Sequence, residues 1–502
     1  SAGFSRGALR TTLDSEMQFY AEKRLADELA LLEKNRVSGG AVFAIDNRSG
    51  AVLVYVGSAS WFDEENSGKI DGVRVVNQPG SCLKPFLYSL ALEKGFAPND
   101  VLPDIPTIFG GSEAYSPVNF NRRFNGPVRF RVALASSLNV PAVYLLERLG
   151  VRSFEEYLAD LGFDSIARTM GSNGTGLALG NAGVSLEELV RAFSVFPRGG
   201  RTVVLRWVEA AKAEREDGER QIMSPYSAAV IADILSDRAS RFVGFGPAPS
   251  LATSFPAMFK TGTANQFQHI WALGATERFT AGVWMGNFSG ETVVGRTGSS
   301  VPARLAADLL GALEQAEPAG IARTTAEGSR APSRPGGLLP AGEFPGTARD
   351  VEICALSGMA AGPFCGGLVH EWLLPESLPG LCSWHRGAGG EPVYPPEYQA
   401  WLRERFRGAL IPAEAENPDG AYIRIPVSGS VFYLDPALPP EAQALRIEAA
   451  GFDAEAHVYV DDVLQGSLNR AGVYVLPLRR GSHRILVEDE KGRSAKTEIV
   501  VR

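Results

Sequence analysis

Histidine is scarce in this chain: there are five, and only His269 precedes position 370. A Ser-His-Asp triad in the first two thirds of the sequence would have to be built on that one residue. Cysteine is equally thin, four in all, too few to staple a chain of 502 residues. Long apolar runs are missing; those at residues 41–45 and 51–56 are strand-sized, far short of the ~20 residues that cross a bilayer. Basic residues show no surplus, the formal net charge being −8, which argues against nucleic acid because a phosphate-binding domain presents a basic face. No signal peptide opens the chain and no solenoid period runs through it. Structured-looking sequence begins within about ten residues of Ser1, so the chain reads as a fragment or mature piece that has lost an upstream segment.

What is present is the composition of a globular protein, 45% apolar with mixed charge. The length predicts two or three domains. Residues 40–56 hold two apolar runs around Asp46-Asn47-Arg48-Ser49-Gly50, the pattern of a hairpin buried on both faces. Residues 130–149 and 185–196 carry apolar side chains at helical spacing, and Ser185 with Glu188 makes a capping-box start. Residues 257–285, with Phe259, Trp271, Leu273 and Trp284, read as further strands. Strands at both ends with helices between them predict one α+β domain over residues 1–316. Residues 317–350, rich in Pro, Gly, Ala, Ser and Arg, read as a linker, and residues 351–419 as a connecting module containing Cys and His. Short apolar runs at regular intervals over residues 420–502 predict a C-terminal β-sandwich.

With no promising histidine, a serine can be activated by a lysine one helical turn away. Gly80-Ser81-Cys82-Leu83-Lys84-Pro85 offers this, since Leu83, Phe86, Leu87 and Leu90 recur at helical spacing and set Ser81 near a helix start. Proline is tolerated in that first turn. An ordinary lysine is protonated at neutral pH and is a poor base, so burial or a neighbouring cation has to lower its pKa. A second cation is therefore predicted in the site. Ser137-Leu138-Asn139 puts a hydroxyl and an amide two residues apart on a short loop, a relay and a donor. Lys260-Thr261-Gly262-Thr263 reads as an edge strand able to take an extended peptide, with Lys260 as the predicted cation. Each motif alone is weak: a capped surface helix, a turn and a Lys-blunted edge are the ordinary explanations. Together, in the order S-x-x-K, S-x-N, K-T-G, they form a known combination.

On these residues the chain resembles the transpeptidase domain of class A penicillin-binding proteins, and most closely the 1C branch. Gln78-Pro79-Gly80-Ser81, Pro117-Val118-Asn119-Phe120, Phe124-Asn125-Gly126-Pro127-Val128 and the blocks around Ser137 and Lys260 carry the resemblance, and residues 420–502 resemble that branch's small terminal domain. The resemblance implies the serine β-lactamase-like fold, an antiparallel sheet with helices. It implies a D,D-transpeptidase in which Ser81 is the nucleophile, Lys84 the base, and Ser137 and Asn139 the relay and orienting pair. Lys260, Thr261 and Thr263 would bind the peptide carboxylate, Gly262 would let the substrate backbone lie close, and the amides of Ser81 and Thr263 would form the oxyanion hole. It further implies peptidoglycan stem peptides and β-lactams as ligands, no cofactor for catalysis and a periplasmic place with the membrane anchor upstream, and it permits a periplasmic macroglobulin-like partner. A D,D-carboxypeptidase or β-lactamase, or a wall-binding module that acylates without turnover, are the other readings. No Glu-x-x-x-Asn lies between Asn139 and Lys260, which disfavours a class A β-lactamase. Three features depart from the family: His269 stands where relatives have Asp before Trp271, Cys82 fills the position after Ser81 and reads as a packed thiol, and no glycosyltransferase domain is visible.

Cys354, Cys365, Cys382 and His385 share one window, the last two in C-x-x-H spacing. Three thiolates and an imidazole suit structural zinc. The oxidising compartment implied by the resemblance favours instead one disulfide and a leftover thiol. His370 is a spare candidate ligand.

Overall fold

The computed structural model describes residues 9–501 apart from 110–115, 210–217, 247–250, 265–266, 317–343, 386–391, 406–420, 427–429, 433–443, 453 and 470–471. Most of the expected linker thus lies outside the described residues, and its last two positions already belong to the strand Arg349–Cys354. The chain forms two compact units, one of Ser1–Leu102 with Arg129–Cys382, the other of Pro103–Val128 with Ser383–Arg502. No helix among the described residues is long and apolar enough to cross a membrane.

The first unit is built on a five-stranded antiparallel sheet. Its strand order is Val52–Val56, Gly39–Asp46, Phe279–Gly286, His269–Ala275 and Met258–Thr263. One face packs Val42, Ala44 and Val283 against Leu25 and Leu29 of the helix Ser15–Leu32 and Leu305 and Leu309 of the helix Val301–Gln315. The other receives the helix Leu186–Phe193, which comes so near that a Cβ on Gly282 would lie 2.4 Å from Val190. Helices on both faces explain why the interior strands are buried along nearly their whole length. The hairpin expected at residues 40–56 is present, but its second strand alternates buried and half-buried positions. The reason is its place at the sheet edge.

The capping box forms as expected: Ser185 Oγ accepts from the Glu188 amide at 3.2 Å, and the Ser185 amide donates to the Glu188 carboxylate at 2.8 Å. Ser185→Ala should therefore destabilise the unit by about 1 kcal/mol, read as a lower denaturant midpoint with an unchanged slope. The run over residues 130–149 divides into the helices Phe130–Ala135 and Asn139–Leu149. Ser137, at φ 56°, lies in the left-handed region and turns the chain between them. The hairpin of Arg349–Cys354 and Leu368–Leu373 groups with this unit, and Glu371 on it is fully buried.

The second unit is a sandwich of a three-stranded and a five-stranded sheet sharing one core, with Ile447 and Leu476 from the first and Val458, Ile485, Val487 and Ile499 from the second. The expected C-terminal runs fall on strands. The same region also holds the strands Ser430–Phe432 and Val463–Ser467. Residues 103–128 belong to this unit through their own contacts. Buried Asp104 accepts from Asn119 Nδ2 at 2.7 Å and from the Asn125 amide at 2.9 Å, and Trp401 Nε1 donates to Phe124 O at 3.0 Å.

Candidate active site

Gly80 to Leu83 form a single 3-10 turn that runs directly into the buried helix Lys84–Glu93, with Pro85 in its first turn. In such a turn residues i and i+3 eclipse, and the Lys84 amide donates to Ser81 O. The tight turn thus sets Ser81 and Lys84 on the same side of the chain. Lys84 is fully buried, and its Nζ donates to Ser137 O at 2.7 Å, Leu138 O at 3.0 Å and Asn139 Oδ1 at 2.7 Å.

Lys260 approaches the same serine from the sheet. Its Nζ donates to Ser137 Oγ at 2.9 Å and to Thr261 O at 2.7 Å. The left-handed turn at Ser137 thus presents a carbonyl to one lysine and a hydroxyl to the other. Burial, with the charge of Arg241 adding to it, pushes Lys260 down to about 8, so it remains largely cationic at neutral pH. Burial likewise pushes the Cys82 thiol up to about 12, which makes it a neutral packed side chain against the Lys260 strand.

The strand Met258–Thr263 is the sheet edge. The Ala264 amide donates to His269 O at 2.8 Å, so the antiparallel alternation turns the amides of Thr261 and Thr263 away from the neighbouring strand, to the open side. There the Gly80 turn is pressed against the strand: a Cβ on Gly80, at φ +57°, would lie 2.3 Å from Thr263 O. Only glycine fits. A Cβ on Gly262 would in turn lie 2.1 Å from Pro79 O. Ser81, Lys84, Ser137, Asn139, Lys260, Gly262 and Thr263 are thereby brought to one place by three distant stretches of chain, and Thr261 contributes the carbonyl held by Lys260.

At the position where an Asp was expected, His269 is buried and held down to about 4 by that burial. It is neutral at physiological pH and lies 3.4 Å from Trp284 Nε1 through Nδ1. Trp271, two residues on, donates through Nε1 to Gln78 O at 2.9 Å and ties the strands to the segment leading to Ser81.

Sequence reasoning missed the residues that hold the Ser137 turn from behind. Ser136 Oγ donates to Ser240 O at 2.7 Å, and Ser240 Oγ to Asp237 at 2.7 Å. Arg131, 1% exposed, pairs with Asp233 at 2.7 Å, with Asp237 at 3.6 Å, and through Nε with Glu371 at 2.6 Å. Burial opposes this charge, but the three carboxylates outweigh it and raise the Arg131 pKa. The available signal was a single arginine in the apolar run at residues 130–135. Its partners, more than a hundred residues away, left no trace in the pattern.

Cys354, Cys365, Cys382 and His385 are brought together, their ligating atoms all within 4.8 Å of one another. His370 is elsewhere, its Nδ1 3.1 Å from Asp350.

Residues 40–311 match the profile of the penicillin binding protein transpeptidase domain, more than half of the chain. The chain belongs to that family. Residues 413–501 of this transpeptidase-family chain match the penicillin-binding protein C-terminus family. Penicillin-binding protein 1C of Escherichia coli is 35% identical over 302 residues, covering 59% of this chain and 37% of that protein. Penicillin-binding protein 1F of Bacillus subtilis is 28% identical over 321 residues, 60% of this chain and 43% of its own length. The chain therefore spans less than half of these relatives. Among solved structures it is similar to penicillin-binding protein 1A from Haemophilus influenzae, with TM-score 0.55, 22% identity and coverage of 68% of this chain and 54% of that one. It is also similar to PonA1 from Mycobacterium tuberculosis in complex with penicillin V, with TM-score 0.54, 21% identity and coverage of 66% and 91%. These structural likenesses bear out the expected serine β-lactamase-like fold. The 1C resemblance and the terminal domain of that branch are likewise borne out.

Proposed function

We propose that this chain carries a D,D-transpeptidase that cross-links peptidoglycan stem peptides through an acyl-serine intermediate and is acylated by β-lactams. The observation that carries the reading is Ser137 held between two buried lysines, one of which, Lys84, follows Ser81 by a single tight turn. Ser81 Oγ attacks the carbonyl of the penultimate D-alanine while Lys84 takes its proton. The proton passes by way of Ser137 Oγ to the departing D-alanine amine, and the peptide C–N bond breaks. Asn139 orients Lys84 and the donor peptide. The developing oxyanion is held by the amides of Ser81 and Thr263, a role supported by the close approach of the neighbouring Gly80 to Thr263. Lys260, with Thr261 and Thr263, holds the substrate carboxylate while the peptide lies along the open strand edge over Gly262. An acceptor amine then attacks the ester, a C–N bond forms as the ester C–O bond breaks, and the amine's proton passes by way of Lys84 to Ser81 Oγ. Every protein group in these steps is a side chain or backbone amide, and the steps call for no cofactor.

The setting follows from the chemistry: stem peptides are found outside the cytoplasmic membrane, in the periplasm. No surface among the described residues identifies a macroglobulin-like partner.

The decisive experiment supplies a donor peptide ending in D-alanyl-D-alanine with and without a competing D-amino acid. Transfer product that grows with the amine supports the transpeptidase. Hydrolysis alone, insensitive to the amine, would make the chain a carboxypeptidase, and rapid release of bound penicillin a β-lactamase. A pH series adds a separate check. Carboxylate binding needs charged Lys260, and that charge is lost as pH rises through about 8. Acylation by a fluorescent penicillin should therefore fall by about tenfold per pH unit above that point. A flat rate up to pH 10 would remove Lys260 from this role.

A further inference from the structure

We propose that Cys354, Cys365, Cys382 and His385 bind one zinc ion in a closed tetrahedral site that staples the segment following the sheet domain. The inference stands apart from the transpeptidase reading, since none of these residues takes part in it.

Four potential ligands separated by up to 31 positions converge so that all their donor atoms lie within 4.8 Å of one another. A zinc tetrahedron with Zn–S of about 2.3 Å and Zn–N of about 2.0 Å has edges of roughly 3.5–3.8 Å, so a small contraction around an ion closes the group. A disulfide makes use of only two of the three sulfurs and leaves the third sulfur and the imidazole without a reason to be there. The donor set is soft, three thiolates and an imidazole, which selects zinc over magnesium or calcium. Four protein ligands leave no open position, so the site is structural.

The backbone around the sulfurs is arranged for thiolates. The Ser357 amide points at Cys354 Sγ at 3.5 Å and the Gly362 amide at Cys365 Sγ at 3.3 Å. Ser357 Oγ lies 3.2 Å from Cys382 Sγ. These donors spread the negative charge that three deprotonated sulfurs bring, as outer partners do in metal centres generally. The turn after Cys354 closes through Gly358 at φ +67°, whose amide donates to Cys354 O at 3.0 Å. Binding releases three thiol protons, keeps the imidazole neutral, and leaves the site with one net negative charge.

The segment needs such a staple. Between Arg349 and His385 the described residues bury Ile353, Cys354, Ser357, Glu371 and Leu373 and little else, too small a core to order the segment alone. The same hairpin carries Glu371 to Arg131. Zinc would thereby fix the carboxylate that neutralises the buried arginine.

The test is elemental analysis of the full chain after dialysis against zinc and then against metal-free buffer without chelator. One zinc per chain is expected in the wild type, falling at least tenfold in Cys382→Ser and in His385→Ala. Loss of the metal would also loosen the fold of those variants, so the wild type is loaded with cobalt as well. An intense visible spectrum of tetrahedral cobalt, with a sulfur-to-metal charge-transfer band, supports the site. Wild-type protein that stays zinc-free with all thiols titratable, or that loses two hydrogens to a disulfide among these cysteines, overturns it.

Discussion

Ser81→Ala is expected to abolish covalent labelling by a fluorescent penicillin, a loss of at least about 1000-fold on the pattern of other acyl-enzymes stripped of their nucleophile. The melting transition should stay in place. The substitution removes the single oxygen of half-buried Ser81 from a turn whose geometry is set by other atoms: the Gly80 backbone against Thr263, the Lys84 amide on Ser81 O, and the Trp271 bond to Gln78 O. Lys84→Ala would also stop acylation but is a poorer test, because it strips three oxygen acceptors of their buried donor and destabilises the fold at the same time. Mass mapping of the labelled wild type completes the experiment. Label on Ser81 supports the assignment, whereas label that survives in the variant, or maps to Cys82, sinks it.

Glu371→Ala should lower the stability of the first unit by about 3–5 kcal/mol, the usual result of leaving a buried ion without its partner. Arg131 is 1% exposed and cannot turn to water. Asp233 and Asp237 remain near it, but both side-chain contacts to Glu371, through Nε and Nη2, are lost. Glu371→Gln retains an acceptor of the same shape and should cost distinctly less. Calorimetry reads the difference as a downward shift of the first unit's transition. Because Asp237 also holds Ser240, and Ser240 O holds Ser136, the acylation rate should fall with it. A shift below about 1 kcal/mol would show that the other carboxylates suffice.

The candidate site was legible to the extent that its chemistry is local. Ser81 and Lys84 announce themselves by spacing, Pro85 and the apolar period behind them. The capping box at Ser185 was readable for the same reason, since both partners lie within one turn. What the residues alone could not tell was convergence. Nothing in Ser137-Leu138-Asn139 states that Ser137 will take a left-handed conformation, because that choice is imposed by two lysines from other elements. The glycine contacts are silent for the same reason: Gly80 looks like a helix punctuator until Thr263 is seen beside it. Arg131 signalled an interior charge but not Glu371, a single acid in a strand-like run 240 positions downstream. Burial at the edge strand Val52–Val56 depended on sheet order, which alternation does not encode.

Residues 103–128 leave the first unit, join the second, and return before the chain has completed the first. Dissection by truncation is therefore not a clean operation on this molecule. A chain stopped after Cys382 would keep that excursion but forfeit Trp401, which fills the space over Gly126 and bonds to Phe124, and the C-terminal core on which Ile108 rests. Such a shortened protein would carry a stretch of apolar side chains with nothing to cover them, and its poor solubility would say nothing about whether the catalytic portion can stand alone.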